Sequence, residues 1–137
     1  MKTQHKRQYP SKNNVTKKHR PIRVHGEIQK ENQEGWKIVH IYGTPEQRGF
    51  AHGFLLYKEL ERVLFKFPFI VKQEIQTSYK KYLSICKNTI TPIVKEQYPE
   101  YYQEIAAIVR GALYQNPKMK ITTDILIAWN SLMSMYE

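Results

Sequence analysis

The segment GTPEQRGFAHGFLL, residues 43–56, constrains the fold more than any other part of the chain. A Thr-x-x-Gln capping box that begins at Thr44, with proline at the next position, predicts a helix that starts at residue 45. Gly49 and Gly53 fall inside this helix, where each costs about 1 kcal/mol relative to alanine. Because they are four residues apart, they share one helix face and allow another backbone to approach. The pattern therefore predicts a close packing contact on that face.

Three further side chains are candidates for chemistry. His52 is either an active-site acid or base, or a histidine hydrogen-bonded at a helix interface. Asn130 is mid-helix and either bonds a neighbouring segment or faces water. Cys86 has no electropositive helix start and no nearby histidine, which indicates a buried small residue more than a nucleophile. Arg48 is interpreted as a surface charge.

Hydrophobic periodicity predicts a mainly α fold class, with four to five amphipathic helices and one short N-terminal strand. The strand is WKIVHIYG, residues 36–43, and no second strand is evident, so it is predicted without a partner. Helices are predicted over residues 45–66, ending before Pro68, over 69–87, from a capped start at Thr91 and Pro92, over 99–115, and after a cap at Thr122 or Thr123.

The net charge of +10 is concentrated at one end of the chain. Residues 1–30 contain nine Lys and Arg against one acid, whereas the remaining residues contain thirteen basic and eleven acidic groups. We expect residues 1–30 to be a disordered basic tail and residues 35–137 to be a helical domain. The tail either aids solubility or makes weak contact with nucleic acid or an anionic surface through phosphate groups.

Several classes of protein are not indicated by the sequence. No run approaches the roughly 20 apolar residues of a transmembrane helix, and no secretory signal is visible, which favours an intracellular location. One cysteine excludes an intrachain disulfide. The five histidines form no metal-ligand pattern, and no phosphate-binding glycine loop occurs, so neither metal nor cofactor is expected.

Three separated stretches together resemble the acyl-coenzyme A:6-aminopenicillanic acid acyltransferase-like and phospholipase B-like proteins, over about residues 36–137. In the first stretch the matching positions are Gly43, Pro45, Gly49, His52, Gly53, Leu55 and Leu56. In YYQEIAAIVRGALYQNP they are Glu104, Ile105, Ile108, Gly111 and Ala112, whereas Ala107 and Arg110 depart from the family pattern. In ITTDILIAWNSLMSMY they are Leu126 and Asn130.

This resemblance implies the αββα fold of the N-terminal nucleophile hydrolases, in which a self-cleaved precursor exposes a cysteine that attacks acyl amides or lipid esters. Cys86 does not match that nucleophile, so no catalytic residue is assigned in this chain. The resemblance therefore implies a helical α-chain-like part whose sheets and cysteine belong to a second chain, through processing, a split gene or a degenerate fragment. The alternative is a small helical binding module with a basic tail. A free-standing enzyme that uses His52 and Cys86 is a third possibility.

Overall fold

The computed structural model describes residues 21–132. This part of the chain forms an antiparallel hairpin followed by five helices, which confirms the mainly α fold class. The strands are β1, Gly26–Glu31, and β2, Lys37–Ile41. The helices are α1 Pro45–Leu55, α2 Tyr57–Ile70, α3 Tyr79–Gln97, α4 Pro99–Gln115 and α5 Thr123–Leu132, with a π-helical turn at Val71–Ile75 between α2 and α3.

The strand predicted without a partner is in fact paired, which corrects the expectation from sequence. β2 pairs with β1, with Gly26 opposite Ile41 and Glu31 opposite Lys37. β1 has the sequence GEIQKE and is almost fully exposed, so it shows no apolar alternation by which to recognise it. Its first five residues lie inside the segment that was assigned to the basic tail, so ordered structure begins earlier than expected. Residues 1–20 lie outside the described residues, and their disorder stays a prediction.

The helix predicted over residues 45–66 is two helices, and its predicted end before Pro68 is wrong. Leu56 departs from helical geometry, with φ −114° and ψ 23°, and separates α1 from α2. α2 then continues through Pro68 to Ile70. Phe67 and Val71 on either side of the proline are fully buried, and their burial compensates for the backbone hydrogen bond that proline cannot donate.

The helix predicted over residues 69–87 begins later, and the helix start predicted at Thr91 and Pro92 does not exist. α3 begins after Ser78, whose hydroxyl accepts a hydrogen bond from the backbone of Lys81. It continues through Pro92, which is an interior residue of the helix. Ile90 and Val94 pack against the core on either side of Pro92, so tertiary packing again overrides a proline signal.

The last two helices agree with the sequence analysis where the structure describes them. α4 spans residues 99–115, with Pro99 in its first turn. Thr122 accepts a hydrogen bond from the backbone N–H of Ile125 at 3.2 Å and so caps α5. The continuation of the predicted apolar stripe to Tyr136 lies outside the described residues.

The core consists of two hydrophobic clusters that meet at α5. The first contains Ile105, Val109, Ala112, Met119, Ile121, Leu126 and Ile127. The second contains Phe67, Val71, Tyr82, Cys86, Ala128 and Leu132. Consecutive residues of α5 therefore enter different clusters, with Ile127 in the first and Ala128 in the second.

Candidate functional site

The site is built on the contact between α1 and α4, which depends on three glycines. A Cβ atom on Gly49 would lie 2.1 Å from the carbonyl oxygen of Glu104, and one on Gly53 would lie 1.9 Å from that of Ile108. From the opposite helix, a Cβ on Gly111 would lie 2.2 Å from the carbonyl oxygen of Phe50. Real Cβ atoms do not approach other atoms this closely, so the two backbones pack at a distance that only glycine permits. The packing contact predicted for Gly49 and Gly53 is therefore present.

The turn before α1 orients Arg48, which sequence reasoning interpreted as a surface charge. Gly43 has φ +100°, and the carbonyl oxygen of this residue accepts a hydrogen bond from Nη1 of Arg48 at 2.9 Å. The guanidinium also contacts both carboxylate oxygens of Glu104 on α4, through Nε at 3.3 Å and Nη2 at 2.5 Å. Arg48 is thus one half of a bidentate ion pair at the surface, with 37% of its side chain exposed; the sequence analysis did not foresee this pairing.

The capping box at the start of α1 is present as predicted. The hydroxyl of Thr44 accepts a hydrogen bond from the backbone of Gln47, and Oε1 of Gln47 accepts one from the backbone of Thr44. Pro45 occupies the first turn, where its missing N–H costs nothing. This cap fixes the first turn of α1, from which Arg48 reaches Glu104.

A cavity of about 310 Å³ lies beside this helix pair. Its polar lining consists of His52 from α1, Tyr101 and Glu104 from α4, and Asn130 from α5. Its apolar wall is formed by Leu60, Ile105, Ile108, Leu126 and Trp129. The first of the three stretches that carry the family resemblance is distant in the sequence from the other two, and each of the three contributes side chains to this one cavity.

His52 is half-buried on α1 at the edge of this cavity. Burial lowers the pKa of His52 below its ordinary value, while the nearby charge of Glu104 acts in the opposite direction. The imidazole is therefore neutral near pH 7. Within residues 21–132 its side chain makes no hydrogen bond, so the bond expected of a helix-interface histidine is absent. The role of His52 as an acid or base stays a prediction.

Tyr101 and Asn130 complete the polar lining. Burial raises the pKa of Tyr101, and the negative charge of Glu104 raises it further, so its hydroxyl stays protonated near neutral pH. Asn130 is exposed, and its amide nitrogen donates to the carbonyl oxygen of Leu126 at 2.8 Å, one turn earlier in α5. Its amide thus bonds its own helix, rather than the neighbouring segment that one interpretation predicted. Tyr101 was not singled out from sequence, because an exposed tyrosine in a helix has no distinguishing pattern.

Cys86 lies elsewhere, in the second core cluster, where its side chain is fully buried. Burial raises the pKa of the Cys86 thiol, and a hydrogen bond with Tyr82 partly opposes this shift. The cavity that contains His52 is not lined by Cys86, so the two residues do not form one site. The buried small residue predicted at this position is what the structure contains.

Metal sites and membrane-spanning helices are both absent from the described residues. Over residues 21–132, no group of three or more His, Cys, Asp or Glu side chains is arranged to hold a metal ion. In the same part of the chain, every helix is too short or too polar to cross a bilayer. Comparison of the chain with protein-family models, with curated proteins and with solved structures finds no significant match.

Proposed function

We propose that this chain is the helical part of a hydrolase that acts on acyl amides or lipid esters, and that a second segment supplies the nucleophile. The observation that carries the proposal is the convergence of His52, Glu104 and Asn130 on one cavity. All three are positions at which the chain resembles the phospholipase B-like and acyltransferase-like hydrolases. A functional site requires its side chains to lie close together. An accidental likeness of short motifs would not require this.

The glycine contact supports the same proposal. Gly49, Gly53 and Gly111 are also positions of the resemblance, and they determine how closely α1 and α4 approach. A contact with this geometry fixes the relative position of His52 and Glu104, and rigid placement of side chains is what a site needs.

The cavity has the character of a binding surface that lacks a nucleophile. Leu60, Ile108 and Trp129 provide an apolar wall, and the neutral His52 with Tyr101 provides hydrogen-bonding groups at its edge. No cysteine, serine or threonine is among the described residues that line it. The attacking group would then come from the second segment, and the chain would be inactive alone.

The test is an assay of the chain alone and of the chain co-expressed with the segment encoded downstream of codon 137. The substrates are a fluorogenic medium-chain acyl amide and phosphatidylcholine. We expect turnover only from the pair, and loss of turnover when the leading cysteine of the downstream segment is replaced by alanine. Cys86→Ser is the matched control and should leave turnover unchanged. Turnover by the chain alone, or a downstream region without a cysteine-led, strand-rich segment, would contradict the proposal.

A second candidate function is polyanion binding by residues 1–30, which the excess of basic residues in that segment favours. Fluorescence anisotropy with a single-stranded RNA would test it. Replacement of Lys17, Lys18 and Arg20 by glutamine should weaken binding and lower the salt dependence, since each lost phosphate contact changes the slope of log K against log salt by about 0.7. Unchanged affinity and slope would exclude this candidate.

A further inference from the structure

We propose that the exposed face of α2 binds an anionic phospholipid membrane surface. The centre of this face is a pair of phenylalanines, Phe65 and Phe69, whose exposed fractions are 86% and 67%. They are four residues apart and therefore project from the same side of the helix. Exposure of two adjacent aromatic rings keeps a large apolar area in water, and binding that removes this area from water is favourable.

Cations surround the two rings along the helix. Arg62, Lys66 and Lys72 are exposed, and each lies three residues from a phenylalanine or next to one. Lys58 is also exposed and lies about two helical turns before Phe65. We use the name α2 face for the surface formed by Lys58, Arg62, Phe65, Lys66, Phe69 and Lys72. The arrangement is that of an interfacial helix, with aromatic side chains that insert among headgroups and long cationic side chains that reach lipid phosphates.

The connection between α4 and α5 extends the positive charge of this surface. Lys118 and Lys120, in the connection before α5, are exposed and line a shallow groove together with Phe65. Among residues 21–132, neither of these lysines nor Lys66 nor Lys72 forms an ion pair. Their charges are therefore not neutralised within the described part of the chain.

Two acids lie near the cations: Glu61, and Glu59, which interacts electrostatically with Arg62. Glu61 is exposed in the same groove, and its carboxylate accepts a hydrogen bond from the side chain of Asn116 at 3.1 Å. Because the carboxylate of Glu59 is already paired with Lys37, these two acids do not balance the six cations near Phe65 and Phe69. The surface is complementary to a negatively charged layer.

An anionic membrane fits this surface better than the other polyanionic or apolar partners. A nucleic acid would use the lysines and would leave the phenylalanines without an obvious role. An apolar protein face would cover the phenylalanines and would have to desolvate the surrounding cations, which is costly. A lipid interface accommodates both, because acyl chains and anionic phosphates lie within a few ångströms of each other.

The inference is independent of the proposed hydrolase activity, since membrane binding needs no nucleophile. The experiment is sedimentation of the full chain with vesicles of phosphatidylcholine alone and with vesicles that also contain phosphatidylserine. We expect binding to the phosphatidylserine vesicles and a decrease in binding as salt is added. The double variant F65A/F69A should lower the partition coefficient by about tenfold or more, because alanine retains the helix but removes both rings.

Two further variants make the result specific. K66Q/K72Q should weaken binding by about fivefold per lysine on phosphatidylserine vesicles. I85A/I93A is the matched control, because it removes two side chains of α3 that are 43% and 50% exposed, and it should bind as the wild type does. Circular dichroism and urea unfolding should show that all three variants fold.

Three results would overturn the proposal. Vesicle binding that is unchanged in F65A/F69A would place the contact elsewhere, for instance in the basic residues 1–30. If F65A/F69A changes the sedimentation of the protein without vesicles but does not change vesicle binding, the α2 face is assigned to contact between copies of the chain. Binding to single-stranded RNA but not to vesicles would assign it to nucleic acid.

Discussion

The hydroxyl of Tyr82 donates a hydrogen bond to the carbonyl oxygen of Ala128 at 2.8 Å, and this bond joins α3 to α5 inside the core. Tyr82 is almost completely buried, so its hydroxyl would be costly to leave without a partner. The bond links two residues, on different helices, that are 46 positions apart in the sequence.

Replacement of Tyr82 by phenylalanine should lower the free energy of unfolding by about 1 kcal/mol, because it removes this bond but keeps the ring. Urea denaturation measures the change. Tyr98→Phe is the control: Tyr98 is exposed, and a substitution there should change stability by less than about 0.5 kcal/mol. Equal stabilities of the two variants would show that the Tyr82 hydroxyl contributes nothing.

Gly53→Ala should destabilise the protein by about 3 kcal/mol or more, because the new methyl group would collide with the backbone of α4 rather than with a movable side chain. The measurement is the urea midpoint with the denaturant slope. Gly35→Ala is the control: Gly35 has φ +85°, but a methyl group there would meet no atom within 4 Å, so only backbone strain of about 1 kcal/mol is expected. A smaller effect at Gly53 than at Gly35 would contradict the close helix contact.

The stability of the protein should decrease as pH falls below about 6.5, the ordinary value for histidine. Burial lowers the pKa of His52 in the folded state, so the unfolded chain binds a proton first as the pH decreases. The loss begins near the pKa of the unfolded chain and levels off below that of the folded protein, with a slope of at most about 1.4 kcal/mol per pH unit.

Urea unfolding of the wild type and of His52→Gln between pH 7.5 and 5 tests this dependence. The variant should be less sensitive to pH over this interval. His40→Gln, which removes an exposed histidine of β2, is the control and should respond to pH as the wild type does. Identical pH profiles for the wild type and His52→Gln would show that His52 is not the responsible group.

Cys86 should react slowly with a disulfide reagent in the folded protein, since its side chain is inaccessible and burial raises the pKa of its thiol. We expect the reaction rate at pH 8 to increase by at least about a hundredfold in denaturing urea, because the thiol must be exposed by opening of the core. The chain has one cysteine, so the absorbance change reports this site alone. Rapid modification of the native protein would indicate a local opening of α3.

Two helix starts with side-chain caps were predicted correctly, whereas two helix boundaries assigned to prolines were wrong. The capping box at Thr44 and the cap at Thr122 were evident because one side chain and the next few backbone N–H groups determine them. Pro68 and Pro92 were interpreted as boundaries, yet both lie inside helices, since burial of the neighbouring residues depends on packing partners that are distant in the sequence.

The candidate site was predictable in part. The spacing of Gly49 and Gly53 predicted a close contact, but nothing in the sequence indicated that the carbonyl groups of α4 would form its other side. The pairing of Arg48 with Glu104 was missed for the same reason, because an ion pair across 56 residues leaves no local pattern. β1 was missed because an exposed strand buries too little to show alternation.

The position of α5 between the two core clusters has a consequence for synthesis of the protein. Until Leu126, Ile127, Ala128 and Leu132 have left the ribosome, both clusters lack residues that complete them. Until then the earlier helices expose apolar surface. Chaperone binding or aggregation competes with folding over this period. Closure of both clusters is therefore expected to be a single late event, triggered by emergence of one ten-residue helix.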